Sequence, residues 1–251
     1  MKASHLILIS SLLFVQCKKS IESNKEYPQT PNYHTHYSPG SSAKDFLRSN
    51  DFHSLRIEIQ YMPGLRPQQN TIDIFIEMLR ERLNKPSGIF IEFKEIDPTL
   101  QTMFSVDDIS DIESLNRTVY TGGDQLGAYV ILVDGSSYDG NALALAYHNT
   151  SICIFGDPLQ YFSGGFTEDA KAKIMAVLLM HEFGHLLGLV DMGSNMVAYH
   201  ADHTNANHCS NSNCLMHHTY TTNTRYAVSE LSDVPTFDNN CINDLKANGG
   251  K

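Results

Sequence analysis

The sequence predicts an α+β domain on a mixed, mostly parallel twisted sheet, and three observations lead there. Period-two and continuous apolar runs alternate with apolar residues at helical spacing through the first two thirds of the chain. A wholly apolar segment at 174–180 then leads into His181-Glu182-Phe183-Gly184-His185-Leu186-Leu187-Gly188. After Gly188 long apolar runs stop and loops take over. The globular part therefore divides into an upper subdomain of sheet and helices, 51–188, and a smaller irregular lower one, 189–251. Two main helices are expected above a cleft that separates the two.

Leu55, Ile57, Ile59 and Tyr61 alternate with Arg56, Glu58 and Gln60, which reads as a half-buried strand ended by Pro63-Gly64. Ile72, Phe75, Ile76, Leu79 and Leu83 then recur at helical spacing, with Asn70 or Thr71 as the cap and 84–88 as the stop. Residues 89–96 form a second strand. Residues 98–127 are less regular, with one short helix around 106–115. The continuous apolar run at 128–133 is what a central strand requires. Two more strands, 142–147 and 151–155, are split by His148-Asn149-Thr150. Thr167 is placed to cap the long helix, with Glu168 and Asp169 at the positive end of its dipole. A last helix is expected at 239–247.

Ahead of the domain, Lys2 precedes an apolar run at 6–15 that is too short to span a bilayer and ends at Cys17. This resembles a bacterial lipoprotein signal, although Gln16 replaces the small residue usual before the cysteine. Residues 1–17 are therefore read as a signal. The protein is expected to be exported and held to the cell envelope by lipid at Cys17, with a plain secreted form as the alternative. Residues 18–50 are polar and read as a flexible tether, in which His34 and His36 are expected to be solvated. A net charge of −10 and a pI near 5.6 argue against nucleic acid as a partner.

The chemistry concentrates late: seven of the twelve histidines lie at or after His181, which favours a metal site in the C-terminal third. In H-E-x-x-H the two histidines fall four apart on a helix, one turn above the other, so both rings reach one ion. Glu182 lies beside that pair, where it can take a proton from water at the metal. Gly188 permits the left-handed turn that ends the helix and swings the chain back. The alternative, a buried helix with ordinary satisfied histidines, leaves two imidazoles and a carboxylate to find partners in apolar surroundings. The pattern points to a zinc-dependent peptidase with one catalytic ion.

With these residues in view, the chain resembles the metzincin clan of zinc peptidases. The likeness covers the strand and helix order from about residue 51, the H-E-x-x-H-x-x-G stretch, and Cys214-Leu215-Met216-His217, which is similar to the clan's methionine turn. The resemblance implies a zincin-like fold with Met216 as an apolar floor beneath the metal. It also implies a peptide bound along an edge strand near 142–147, with Tyr220 or Tyr226 as an extra donor. It leaves two third ligands open. Asp191 stands three residues after Gly188, as in snapalysin-like members. His208 opens H-C-x4-C-x-M, as in archaemetzincins, though a loop containing His200 and His203 separates it from the glycine. The later C-x-x-C of archaemetzincins is missing, so their second, structural zinc is expected to be absent.

Besides Cys17 the chain carries Cys153, Cys209, Cys214 and Cys241, and an even number in an exported protein fits disulfides. Cys209 with Cys214 is the favoured pair and leaves Cys153 with Cys241; the competing reading makes Cys209 and Cys214 metal ligands, but no C-x-x-C accompanies them. The expected activity is hydrolysis of peptide bonds in a peptide or protein substrate by a monomer, with Glu182 as general base. The alternative is a non-catalytic zinc-containing surface lipoprotein that binds peptide or glycan.

Overall fold

A computed structural model describes residues 33–138, 140, 142–163, 165–222 and 233–251. The expected signal at 1–17, its lipidation site Cys17 and the first half of the expected tether lie outside the described residues. Among the described residues no helix is long and apolar enough to cross a membrane.

The frame is a five-stranded sheet in the order β2-β1-β4-β7-β6. Its strands are β1 (Ser54–Tyr61), β2 (Gly88–Glu95), β4 (Gln125–Val133), β6 (Ala144–His148) and β7 (Ser151–Phe155). All pair in parallel except β6, which runs antiparallel along β7 and forms one edge. Central β4 is buried almost throughout because both faces are covered, so its apolar run does not alternate. The pair β3 (Met103–Phe104) and β5 (Ser136–Ser137) makes a separate two-stranded ladder, too short for any periodic signal.

Two helices carry the domain, α2 (Gln69–Arg82) and α5 (Glu168–Leu186). Gln68 takes the cap position of α2 without a side-chain bond; the expected cap Thr71 lies within the helix and donates to the Ala172 carbonyl of α5 at 2.9 Å. Thr167 caps α5 as its sequence suggests, accepting from the Ala170 N–H. From Ile174 to Leu186 every residue of α5 is buried. Phe183 sits edge-on between Phe46 and Phe75, each 5.3 Å away, which locks the C-terminal half of α5 against the other layers. Helix α3 (Val106–Asn116) follows a Ser105–Asp108 capping box. Helix α4 (Gly156–Ser163), not anticipated, fills the step from β7 to α5.

The tether ends earlier than its composition suggests. From Tyr33 the chain is part of the domain: helix α1 (Ala43–Leu47) is buried through Ala43, Phe46 and Leu47. The fully buried Asn149, in the turn between β6 and β7, donates to His34 O and Ser42 Oγ, and its backbone and side chain pair with Tyr37. His36 is not simply solvated, since it stacks on His148 at 4.6 Å. Lys85 stitches the same segment down by donating to the carbonyls of Asp45, Arg48 and Phe52, and burial pulls its pKa to about 8. Polar residues conceal this packing because the contacts run through backbone and short side chains. Beyond Gly188 the described elements are α6 (Thr219–Thr222) and α7 (Asn239–Ala247), joined by loops as expected.

Candidate metal centre

Helix α5 delivers the first two side chains, with the His181 and His185 rings 4.9 Å apart one turn from each other. Gly188 takes φ 82°, and a Cβ there would meet Ser194 N at 2.4 Å, so glycine is required for the turn that stops the helix. After an excursion over 189–207 the chain returns with His208, whose ring lies 5.2 Å from both of the others. Asp191 does not join them. It is exposed, with φ 62° in the turn, and belongs to no cluster of metal-ligating side chains among the described residues. His200 and His203 also stay apart, the first against Asp244 and the second against Tyr199.

Each of the three clustered rings has its Nδ1 engaged by a carbonyl: His181 by Leu215 O at 2.7 Å, His185 by Leu189 O at 3.1 Å and His208 by Ala206 O at 2.8 Å. Carbonyls only accept, so Nδ1 carries the proton and Nε2 keeps its lone pair. The three ligand nitrogens lie within 4.8 Å of one another. His181 Nε2 is buried with no protein partner. Such an orphan is costly unless something fills the shared point, and three neutral imidazoles with space beyond them suit zinc. Burial, reinforced by the neighbouring rings, holds His181 well below its usual pKa and His185 at about 3; burial lowers His208 as well. All three therefore stay in the ligating form at neutral pH.

Glu182 is buried beside them and accepts from the Ala146 N–H at 2.7 Å. Burial raises its pKa to about 8, and the Ala146 bond pulls the other way. That N–H belongs to edge strand β6, where antiparallel pairing turns alternate backbone groups away from β7. The ladder slips between Ala146 and His148, so Tyr147 sits at a bulge. Its hydroxyl donates to Glu113 at 2.7 Å, and Glu113 is held by Arg117 at 2.6 Å and Ser151 at 2.8 Å, all buried. The position of the edge strand, and with it the Glu182 partner, therefore rests on a buried ion pair.

Met216 lies fully buried under this arrangement. A Cβ at Gly184 would fall 2.3 Å from Met216 Sδ, so the sulfur fits where a side chain is missing from the helix. Gly184→Ala is therefore expected to destabilise by about 1–3 kcal/mol through overpacking, and adding Met216→Ala should recover part of that. Thermal unfolding checks both; an unchanged midpoint in Gly184→Ala would refute this packing.

Between β6 and the histidines lies a cleft of about 230 Å³ lined by Ala144, Ala146, Glu182, His185, His208 and Thr221. On α6 it is Thr221 that lines the cleft, while Tyr220 is buried and Tyr226 lies outside the described residues. The Ala146 N–H and the Tyr147 bulge were invisible in the sequence, because a backbone donor has no letter and the bulge depends on pairing.

Neither expected disulfide forms. Cys153, Cys209, Cys214 and Cys241 are all free and buried. Cys153 sits inside the sheet on β7, whereas Cys241 in α7 faces Cys214 with 3.5 Å between sulfurs. Three thiols thus converge, which leaves no exclusive pair.

No protein-family model matches this sequence, and no curated protein matches it. Solved structures do. Archaemetzincin from Methanopyrus kandleri is similar over 78% of this chain and 96% of its own, at 15% identity and a TM-score of 0.52. Metalloproteinase-II from Bacteroides fragilis is similar over 90% of this chain and 59% of its own, at 12% identity and a TM-score of 0.44. The first likeness shows the fold: a mixed α/β, mostly parallel sheet of the archaemetzincin type.

Proposed function

We propose that the protein is a zinc-dependent endopeptidase, with His181, His185 and His208 as ligands through Nε2 and Glu182 as general base. The observation that carries this is the convergence of three imidazole nitrogens, one of them buried and unpartnered, beside a buried carboxylate in a cleft. Zinc, when bound, supplies the Lewis acidity that polarises a peptide carbonyl and brings the pKa of water toward neutrality.

The remaining work falls to the chain. Glu182, buried beside the ligands, takes the proton of the attacking water and passes it to the leaving nitrogen. The outward backbone of Ala144 on β6 offers an extended peptide a strand to pair with across the scissile bond. Thr221 closes the opposite wall of the cleft. The carbonyls of Leu215, Leu189 and Ala206 hold the ligand rings in the metal-binding tautomer. Export with a lipid at Cys17 would place this cleft at the cell envelope, and loss of labelled palmitate in Cys17→Ser is the expected check.

The ligand set is tested by metal content. His208→Ala should lower zinc affinity by at least the 10–100-fold typical of even an outer partner, whereas Asp191→Ala should keep full zinc. Retention by His208→Ala together with loss by Asp191→Ala would reverse the assignment. Chelator-sensitive cleavage of a mixed peptide library separates the peptidase from a binding protein that merely holds peptide or glycan.

A further inference from the structure

Beside the histidine centre, where the 189–207 excursion returns, a second group of side chains gathers that the peptidase chemistry does not use. Asp202 comes from that excursion, and His217 and His218 follow Met216 directly. Each offers one ligand atom, and the three atoms lie within 4.8 Å of one another. We infer that Asp202, His217 and His218 hold a second divalent transition-metal ion of the zinc type, bound apart from the three ring nitrogens of the peptidase centre.

Spacing is the first support. His218 Nδ1 stands 3.5 Å from Asp202 Oδ2. Two ligands of one zinc, bonded at about 2.0–2.2 Å and spread at the tetrahedral angle, lie about 3.4 Å apart. A plain histidine–aspartate pair would need a single imidazole, yet the His217 ring is set 4.5 Å from that of His218. Two imidazoles and a carboxylate make a set that zinc accepts, with a position left over for water. All three side chains are partly exposed, so an ion can reach them from solvent.

The chain holds the ligands in place through partners of their own. Asp202 Oδ1 accepts the Thr204 and Asn205 N–H groups at 2.7 and 3.2 Å, and Oδ2 accepts from Asn205 Nδ2 at 2.9 Å. A carboxylate oxygen has two lone pairs, so Oδ2 keeps one for a metal. Thr219 Oγ1 lies 2.9 Å from His217 Nδ1 and orients that ring. The His217 and His218 carbonyls accept the Tyr220 and Thr221 N–H groups at 3.2 and 3.3 Å, which anchors both residues at the start of α6. Outer partners of this kind are what fix the direction of a metal ligand.

An ion here would clamp the excursion to the stretch after Met216. The Asp202 N–H donates to the His208 carbonyl at 2.8 Å, and the His208 and His218 rings lie 6.4 Å apart. The clamp would therefore steady the one ligand of the peptidase centre that does not come from α5, without entering the reaction. With three protein ligands and an open position, the ion is held less tightly than in a closed four-ligand site and exchanges with solvent.

This site goes beyond the peptidase reading and can fail without it. Cobalt chloride titrated into the zinc-loaded full chain should bind as one further saturable equivalent without releasing zinc. Its visible d–d absorption should appear without the thiolate-to-cobalt charge-transfer band that binding at cysteines would give. Asp202→Asn keeps an acceptor for the Thr204 and Asn205 N–H groups, so it should fold normally yet bind the extra cobalt about 10-fold or more weakly. His218→Ala should show the same loss. The Asp202-dependent equivalent should persist in His185→Ala, so failure of the peptidase centre and failure of this site are read separately. The inference is overturned if wild type takes up no saturable cobalt beyond its zinc, if Asp202→Asn and His218→Ala bind it as tightly as wild type, or if the absorption has thiolate character.

Discussion

Glu182→Gln should retain zinc and its melting temperature while peptide cleavage falls by about 10²–10⁴-fold, the usual worth of a positioned base. The amide has the shape of the acid, and its oxygen can still accept from the Ala146 N–H that now meets Glu182 Oε2 at 2.7 Å. The buried site therefore stays satisfied, and only the capacity to take a proton is lost. In barrier terms the loss corresponds to roughly 3–5 kcal/mol. Initial rates on a quenched peptide library, with zinc content measured on the same sample, give the comparison. A variant as active as wild type would remove Glu182 from the chemistry; a variant without zinc would mean that the residue holds the site together instead.

Arg117→Met should unfold the protein more readily than any surface change. Arg117 and Glu113 are both buried, and the guanidinium also reaches the carbonyls of Val119 and Gly127. Removing the cation leaves the Glu113 carboxylate inside the sheet layer with only Tyr147 and Ser151 donating to it. Breaking a buried pair in this way costs about 3–5 kcal/mol. That corresponds to a drop of roughly 10 °C in melting temperature for a chain of this size. Lys173→Ala, which breaks a partly exposed pair with Asp169 on α5, should change stability by under about 1 kcal/mol. Thermal unfolding of the two variants side by side is the measurement, and equal shifts would refute the claim that the Arg117 pair carries structural weight.

The elements legible in the sequence were those whose burial is periodic. Leu55 to Tyr61, the apolar run in β4 and the α5 stretch from Ile174 each announced their environment, because one face or both is covered. His181, Glu182 and His185 were legible because helical spacing alone fixes their relation. His208 could not be separated from Asp191 on paper, since zinc accepts nitrogen or oxygen and the path of residues 189–207 has no period. The disulfide reading failed for a related reason. Spacing shows that two cysteines are able to meet, but not that a third thiol and His200 occupy the same space. Helix α4 and the packing of 33–50 escaped because short polar segments are held by tertiary contacts rather than by a repeating face.

That early docking would bound how far a lipid-anchored form of the molecule could extend from a bilayer. If acylation occurs at Cys17, fifteen residues separate it from Tyr33, the first described residue of the packed body. At about 3.5 Å per residue even a straight chain spans no more than roughly 55 Å. A leash running to residue 50 would allow about twice that. For a peptidase so anchored, polypeptides presented near the envelope surface, rather than ones diffusing far from it, would be the material within range.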